Sequence, residues 1–350
     1  MKKLFFAAIA GAALASCVSN EAEIAPKADS RISFAAPLVS SITRVYEGEI
    51  SNPYPNNEKF TVFAKYYPTT FSTWTAGEWY IGTADGGVDV AYNASLNGWA
   101  PDGTEYYWPK NGSLTFYAYS PADYESWKPA ITASEQMQAT AVSIPADAAD
   151  VDLLYSELAK DKHANDNIEN NNGNSEYYGV ELKFKHALSS IQFKVKLDSE
   201  YKTDIKLNKI ELKQAKSEGT FSWTLSADEN PTWEALTAPL DYTVVSGIDQ
   251  IVTTVDTAEA VAQAVPMILL PQTLTDVVAE VTYTIDGRES TTDINLSELK
   301  HGEQAAAEWQ PGKRYIYTIT FSLKTIYFDP TVSDWDTVEV SYPKSELENA

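Results

Sequence analysis

The chain has 350 residues, 44% of them hydrophobic, and a net charge of −23, so it carries enough apolar mass for more than one core. A body this acidic excludes nucleic acid as a partner, because phosphate demands a basic surface; the charge fits solubility and mutual repulsion outside the cell. With a single cysteine, no internal disulfide can form.

Residues 1–16 read as an export signal. Lys2 and Lys3 precede an uncharged apolar run from Leu4 to Leu14, shorter than the roughly 20 residues a spanning helix needs. Leu14-Ala15-Ser16 then leads into Cys17. Small residues before a cleavage point suit a signal peptidase, and Cys17 in that place is similar to a bacterial lipobox cysteine. Cys17 is therefore the expected lipidation site, carrying acyl chains such as palmitate. The other reading is an ordinary signal peptide that contains a cysteine. Each buried CH₂ of an acyl chain adds about 0.8 kcal/mol of membrane affinity, so several chains would hold the protein firmly to a membrane. Residues 17–31 are polar and acidic and form a flexible lipidated spacer.

Ile32, Phe34, Ala36 and Leu38 alternate with Ser33, Ala35 and Pro37, the period of a strand with one buried face. Pro37 cannot donate to a ladder, which predicts an edge strand. Burial of Ile32, Phe34 and Leu38 would contribute about 5–9 kcal/mol, at about 1.5–3 kcal/mol each. That is enough to seat the strand, yet an equivalent strand could replace it. Read plainly, it is also simply the first strand of a sandwich.

From Lys59 onward strand patterns dominate. Phe60, Val62, Ala64 and Tyr66 alternate with Thr61, Phe63 and Lys65, and Leu114, Phe116 and Ala118 with Thr115, Tyr117 and Tyr119. Gly86-Gly87, Asn97-Gly98, Asp102-Gly103 and Asn111-Gly112 mark turns. Short strands with such turns predict an all-β sandwich. The Asn-rich, charged stretch 156–178 reads as a mobile surface loop. Leu182, Phe184, His186 and Leu188 alternate until Ser189-Ser190. There the phase slips by one, and Ile191, Phe193, Val195 and Leu197 continue, predicting a bulge or tight bend. Val265–Leu270, Ala279–Ile285 and Tyr315–Leu323 are further strand patterns, and the last lies near Val338–Tyr342. Helical potential is confined to Thr257–Ala264 and Leu296–Lys300. A boundary near residue 200 divides the body into β domains 32–200 and 201–350.

Chemistry is sparse. His163, His186 and His301 lack ligand spacing, with His186 read as a packed strand residue. Asp147, Asp150 and Asp152 lack the spacing of a calcium loop. No nucleophile elbow, P-loop or dinucleotide fingerprint occurs. No enzyme activity, metal or cofactor is expected. The stretch Tyr66–Trp127 is rich in aromatic residues, which suit sugar faces and protein contacts as well as core packing. Trp74, Trp79 and Trp99 lie in turn-rich sequence and are the candidates for ligand contact.

The lipobox at Cys17, the strand 32–38 and Thr43-Arg44 resemble the start of a fimbrillin-family precursor. Recurring body motifs of that family resemble Asp152-Leu153-Leu154-Tyr155-Ser156, His186-Ala187-Leu188-Ser189-Ser190-Ile191, Leu269-Leu270-Pro271-Gln272, Trp309-Gln310-Pro311-Gly312-Lys313-Arg314-Tyr315 and Val332-Ser333-Asp334-Trp335. The resemblance implies two tandem transthyretin-like, Greek-key β-sandwich domains behind a lipoprotein signal peptide, and that the membrane holding the acyl chains is the outer membrane. It implies a stalk or accessory subunit of a type V pilus, with a role in adhesion to a host or bacterial surface ligand. It further implies removal of strand 32–44 after Arg44 by an arginine-specific protease. Donor-strand exchange with other fimbrial subunits, self or paralogous, would follow. Ile32, Phe34 and Leu38 would then mark the contacts of the incoming strand, supplied by a C-terminal segment within Thr325–Tyr342. A second class stays open: an outer-membrane glycan-binding lipoprotein that uses the N-domain aromatics.

Overall fold

The computed structural model describes residues 31–35, 38–39, 54–96, 98–132, 135–164, 179–199, 205–225, 231–253, 257–262, 266–301, 304–305, 307–322 and 326–334. Among the described residues strands dominate, with single 3₁₀ turns at Ala146–Ala148 and Leu296–Glu298. In chain order the strands are β1 (Leu38–Val39), β2 (Phe60–Tyr67), β3 (Glu78–Ile81), β4 (Val88–Asn93), β5 (Gly98–Pro101), β6 (Ser113–Ser120), β7 (Ala130–Ile131), β8 (Gln136–Ser143), β9 (Leu154–Ser156), β10 (Ala159–Lys162) and β11 (Lys183–His186). The second half holds β12 (Ser189–Leu197), β13 (Ile205–Thr224), β14 (Thr232–Val252), β15 (Glu259–Ala260), β16 (Met267–Leu269), β17 (Val278–Ile285), β18 (Arg288–Asn295), β19 (Lys300–His301), β20 (Gln304–Ala305), β21 (Lys313–Phe321) and β22 (Ile326–Asp334).

The first sheet runs β1-β11-β9-β6-β2-β4-β5, with β3 beside β2 and β10 beside β6. One face of it (Phe60, Val62, Ala64, Val90, Trp99, Leu114, Phe116, Phe184) encloses its own apolar core. The other face (Phe63, Tyr117, Tyr119, Tyr155) joins a larger core shared with the strands beyond β11. β2 and β6 are therefore buried on both faces, although alternation is all that their sequences display.

The phase slip after Leu188 is a change of sheet. β11 ends in the first sheet at His186, and β12 begins in a five-stranded sheet ordered β15-β12-β21-β22 at Ser189. The separate body motifs meet at this crossover. His186 Nδ1 sits 2.7 Å from Asp152 Oδ2. Ala187 N–H donates to the Leu153 carbonyl and Gly312 N–H to that of Leu188, both at 2.8 Å. Ser189 pairs with Leu269 on one side, and Ser190 with Arg314 on the other. Gln272 and Trp309 exchange two backbone hydrogen bonds.

A six-stranded sheet ordered β18-β17-β13-β8-β7 completes the body, with β14 along the other side of β13. The 20-residue β13 and 21-residue β14 are absent from the sequence reading. In β13 the alternation breaks near Asn208 and Gln214, and the ten residues 215–224 that then keep one phase bury Ser217 and Gly219 among their inward positions, while β14 buries none of its first ten residues. Along β13, residues 205–213 pair with β17 and 218–224 with β8. Gln272, only 5% exposed, fills the gap between them. Its amide oxygen accepts from Lys216 N–H at 2.7 Å, and its amide nitrogen donates to the Lys216 carbonyl at 3.2 Å.

Several expectations are corrected. Thr257–Ala264 is not helical over its described residues, because Glu259 and Ala260 are drawn into a short strand beside Val195 and Lys194. Leu296–Lys300 is a single 3₁₀ turn capped by Asn295, followed by β19 at Lys300. The expected loop 156–178 begins as strand: Ser156 ends β9, and β10 pairs Ala159 with Phe116 and Lys162 with Leu114. The sheets do not part at residue 200, since β8 (136–143) and β12 (189–197) both pair with strands beyond it. The strand pattern Val338–Tyr342 lies outside the described residues.

Candidate functional site

The candidate site is the slot that holds the N-terminal segment. Ile32 N–H donates to the Tyr106 carbonyl and Phe34 N–H to the Trp99 carbonyl, each at 2.7 Å. Trp99 N–H returns a bond to the Phe34 carbonyl at 3.2 Å. On the opposite side, Ala35 N–H donates to the Val180 carbonyl at 3.0 Å, and Val180 N–H to that of Ser33 at 2.8 Å. The segment bridges antiparallel to Tyr107 and Trp99 and parallel to Val180. It continues parallel through Leu38↔Lys183 and Val39↔Phe184. Residues 32–35 are thus not at an edge, because even- and odd-numbered residues bond to different neighbours, whereas Leu38–Val39 stands at the end of the sheet order beside β11, as an edge strand does. Residues 31–35 join β5 to the chain leading into β11 and close the first sheet into a ring.

Phe34 is fully buried and Ile32 is 2% exposed. The Phe34 ring packs edge-on against Phe60 and Phe116, each at 5.7 Å between centroids and 89° between planes. These are favourable quadrupole geometries, worth about 0.5–1.5 kcal/mol each beyond area burial. Gly179 lies against the same residue. Its φ is +85°, and a Cβ there would fall 2.4–2.6 Å from the Phe34 backbone. Only glycine allows both the left-handed backbone and this approach. Tyr54 lines the same core, with its hydroxyl 2.5 Å from Ser120 Oγ and donating to the Lys59 carbonyl at 3.0 Å. Burial pushes its phenol pKa well up.

At the slot mouth, Arg31 Nη1 pairs with Glu105 Oε1 at 2.7 Å, and Tyr107 Oη donates to Glu105 Oε2 at 2.5 Å. The Tyr107 hydroxyl, then Arg31, hold the Glu105 carboxyl below its ordinary range.

Of the residues singled out in sequence, Ile32 and Phe34 are brought together in the slot. Leu38 joins through its backbone pairing with Lys183. Cys17 and Arg44 lie outside the described residues. Trp74 and Trp99 are corrected: at 1% and 2% exposure they are core residues, and neither offers a free ring face. Their turn-rich sequence places them under loops, not at loop tips. Trp79 is 37% exposed, and the Lys65 ammonium sits 4.7 Å from its ring centroid. Desolvation lowers the Lys65 pKa. Gly179, Val180, Glu105 and Tyr107 were not read from sequence as site residues. Each belongs to the slot by meeting residues 31–35, about 70 or more positions away, which leaves no local pattern. Among the described residues no His, Cys, Asp or Glu cluster could hold a metal. No described helix is long and apolar enough to cross a membrane.

The fold matches solved structures. A fimbrial protein from Bacteroides vulgatus superposes at TM-score 0.55 and 15% identity, over 87% of this chain and 99% of that one. A candidate cell adhesion protein from Bacteroides uniformis gives 0.52 and 16%, over 87% and 99%. Another from Bacteroides ovatus gives 0.50 and 14%, over 89% and 99%. No curated protein matches the sequence. The fimbrillin-like family model matches residues 43–335, and on that span the chain belongs to the fimbrillin-like family, a class of structural fimbrial subunits and not of enzymes.

Proposed function

We propose that this fimbrial subunit is exported as a lipoprotein anchored at Cys17, with its slot filled by its own N-terminal strand. Cleavage after Arg44 releases that strand, and a C-terminal strand from a neighbouring subunit, drawn from 325–342, takes its place. The carrying observation is that residues 31–35 bond to both sides of the slot while Phe34 is wholly buried. Loss of the strand would open two facing strand edges and an apolar trench, and an unpaired edge invites another strand. Main-chain bonds would supply affinity, and the pockets of Ile32 and Phe34 specificity. Arg31 suits processing less well, since it precedes the strand and is paired with Glu105.

N-terminal sequencing of surface-extracted protein tests the reading. A mature start at Val45 is expected, and Arg44→Ala should abolish both that start and filament formation while leaving export unchanged. Filaments from the Arg44→Ala protein would refute the processing step.

A further inference from the structure

A protease that cuts after arginine needs the chain on both sides of the cut to leave any ladder of its own and lie extended in the active site. The sequence holds four arginines against 22 lysines: Arg31, Arg44, Arg288 and Arg314. Three of them fall within the described residues, and each is held in a sheet.

Arg314 stands in β21 with a neighbour on either side, opposite Ser190 of β12 and Ser333 of β22. Arg288 closes the two-residue turn Asp286-Gly287, where φ is +49° and +76°, and pairs with Ile285. It is exposed, yet the bond that follows it lies in the β17–β18 ladder, where Glu289 pairs with Thr284. Arg31 is held most closely. It bridges to Tyr107, and its guanidinium meets Glu105 at 2.7 Å. The amide that a cut would free is that of Ile32, whose N–H donates to the Tyr106 carbonyl at 2.7 Å. Residues 32–35 beyond it are bonded to both walls of the slot, with Phe34 wholly buried.

Cleavage at Arg31 therefore requires the strand to leave the slot first. It would also be unproductive. Hydrolysis of the Arg31–Ile32 bond leaves residues 32–44 joined to the body through Val45, so the slot stays filled. We infer that the fold withholds Arg31, Arg288 and Arg314 from an arginine-specific protease, and that the seating of Ile32 and Phe34 is what protects Arg31. This inference rests on the proposed cut after Arg44 and adds to it the reason that the upstream arginine is spared.

The test uses the full chain carrying Arg44→Ala, digested with an arginine-specific protease and read by N-terminal sequencing and intact mass. That chain should stay uncut, while a synthetic peptide of residues 27–39 is cut at Arg31 under the same conditions. Adding Phe34→Ala should bring out a start at Ile32 at least about a hundredfold faster, because cleavage follows the population of the opened strand and truncating a buried aromatic raises that population. Starts at Glu289 or Tyr315 from this variant would report global unfolding. The milder Ile32→Val then carries the test, with an acceleration of roughly two- to tenfold. A start at Ile32, Glu289 or Tyr315 from the Arg44→Ala chain, at a rate within tenfold of the peptide, would overturn the inference. So would an Ile32 start no faster in either slot variant. A peptide that also resists would overturn it as well, since sequence and not seating would then protect Arg31. The unaltered chain tests the other reading separately: absence of a Val45 start there would refute the cut after Arg44 and leave the protection of Arg31 to stand on the variants.

Discussion

At the scale of single residues, Phe34 is the deepest anchor of the N-terminal segment. Truncating it removes two edge-to-face contacts and leaves a cavity between Phe60 and Phe116. Phe34→Ala should destabilise the uncut protein by about 3–5 kcal/mol, read as a lower denaturation midpoint in urea. Glu105 gives a pH signature of definite sign. Its folded carboxyl titrates below the unfolded value of about 4.3. The contribution is therefore present above that pH and disappears as pH falls through the lowered folded value. Exchange protection of the Ile32 and Phe34 amides should fall over that acid range, and Glu105→Gln should flatten this part of the profile. An exposed pair of this kind contributes modestly and is screened by salt, so the effect belongs at low ionic strength.

At the scale of elements, Gln272 stands in for missing strand. Its side-chain amide supplies the donor and acceptor that β8 and β17 leave unfilled at Lys216. Gln272→Ala should cost about 1–3 kcal/mol for each buried group left unpaired. Gln272→Glu keeps the acceptor for Lys216 N–H but turns a buried carboxylate toward the Lys216 and Leu270 carbonyls, so it should recover none of that loss at neutral pH; calorimetric midpoints of the three proteins would show the order. The sequence exposes some of this level and hides the rest. Alternation alone identified Ile32 and Phe34, β2, β6 and β17, because each keeps one phase for several residues. β13 escaped because two phase breaks split it and its longest run buries Ser217 and Gly219, and β14 because none of its first ten residues is buried. Trp74 and Trp99 misled because a tryptophan in turn-rich sequence can roof a core as readily as face solvent. The partners of the slot were invisible, since Arg31 meets Glu105 and Phe34 meets Val180 only once the chain has folded.

At the scale of the whole molecule, a net charge of −23 opposes the approach of like subunits. A fimbrial subunit assembles with other subunits at the cell surface, and copies of this chain would have to overcome this repulsion to join. Subunits cut after Arg44 should polymerise faster as sodium chloride rises from about 10 to about 300 mM, because the Debye length contracts from about 30 Å to below 10 Å. Light scattering would follow this, and a rate that fell with salt would show that attraction between unlike charged patches controls encounter instead. The aromatic surface plays a smaller part than composition suggests, as Trp79 keeps its exposed ring while most other tryptophans are buried.

The crossover at Leu188 has a mechanical consequence. The slot wall β11 and the central strand β12 are one nearly continuous stretch of chain, and β12 lies parallel to β21 through eight successive residue pairs. Tension entering through a strand seated alongside β11 would be carried along that stretch and would slide β12 lengthwise past β21, loading all eight pairs together. Peeling a hairpin open breaks its pairs one at a time, at lower force. A filament pulled along its axis would therefore meet this junction in its stiffer direction.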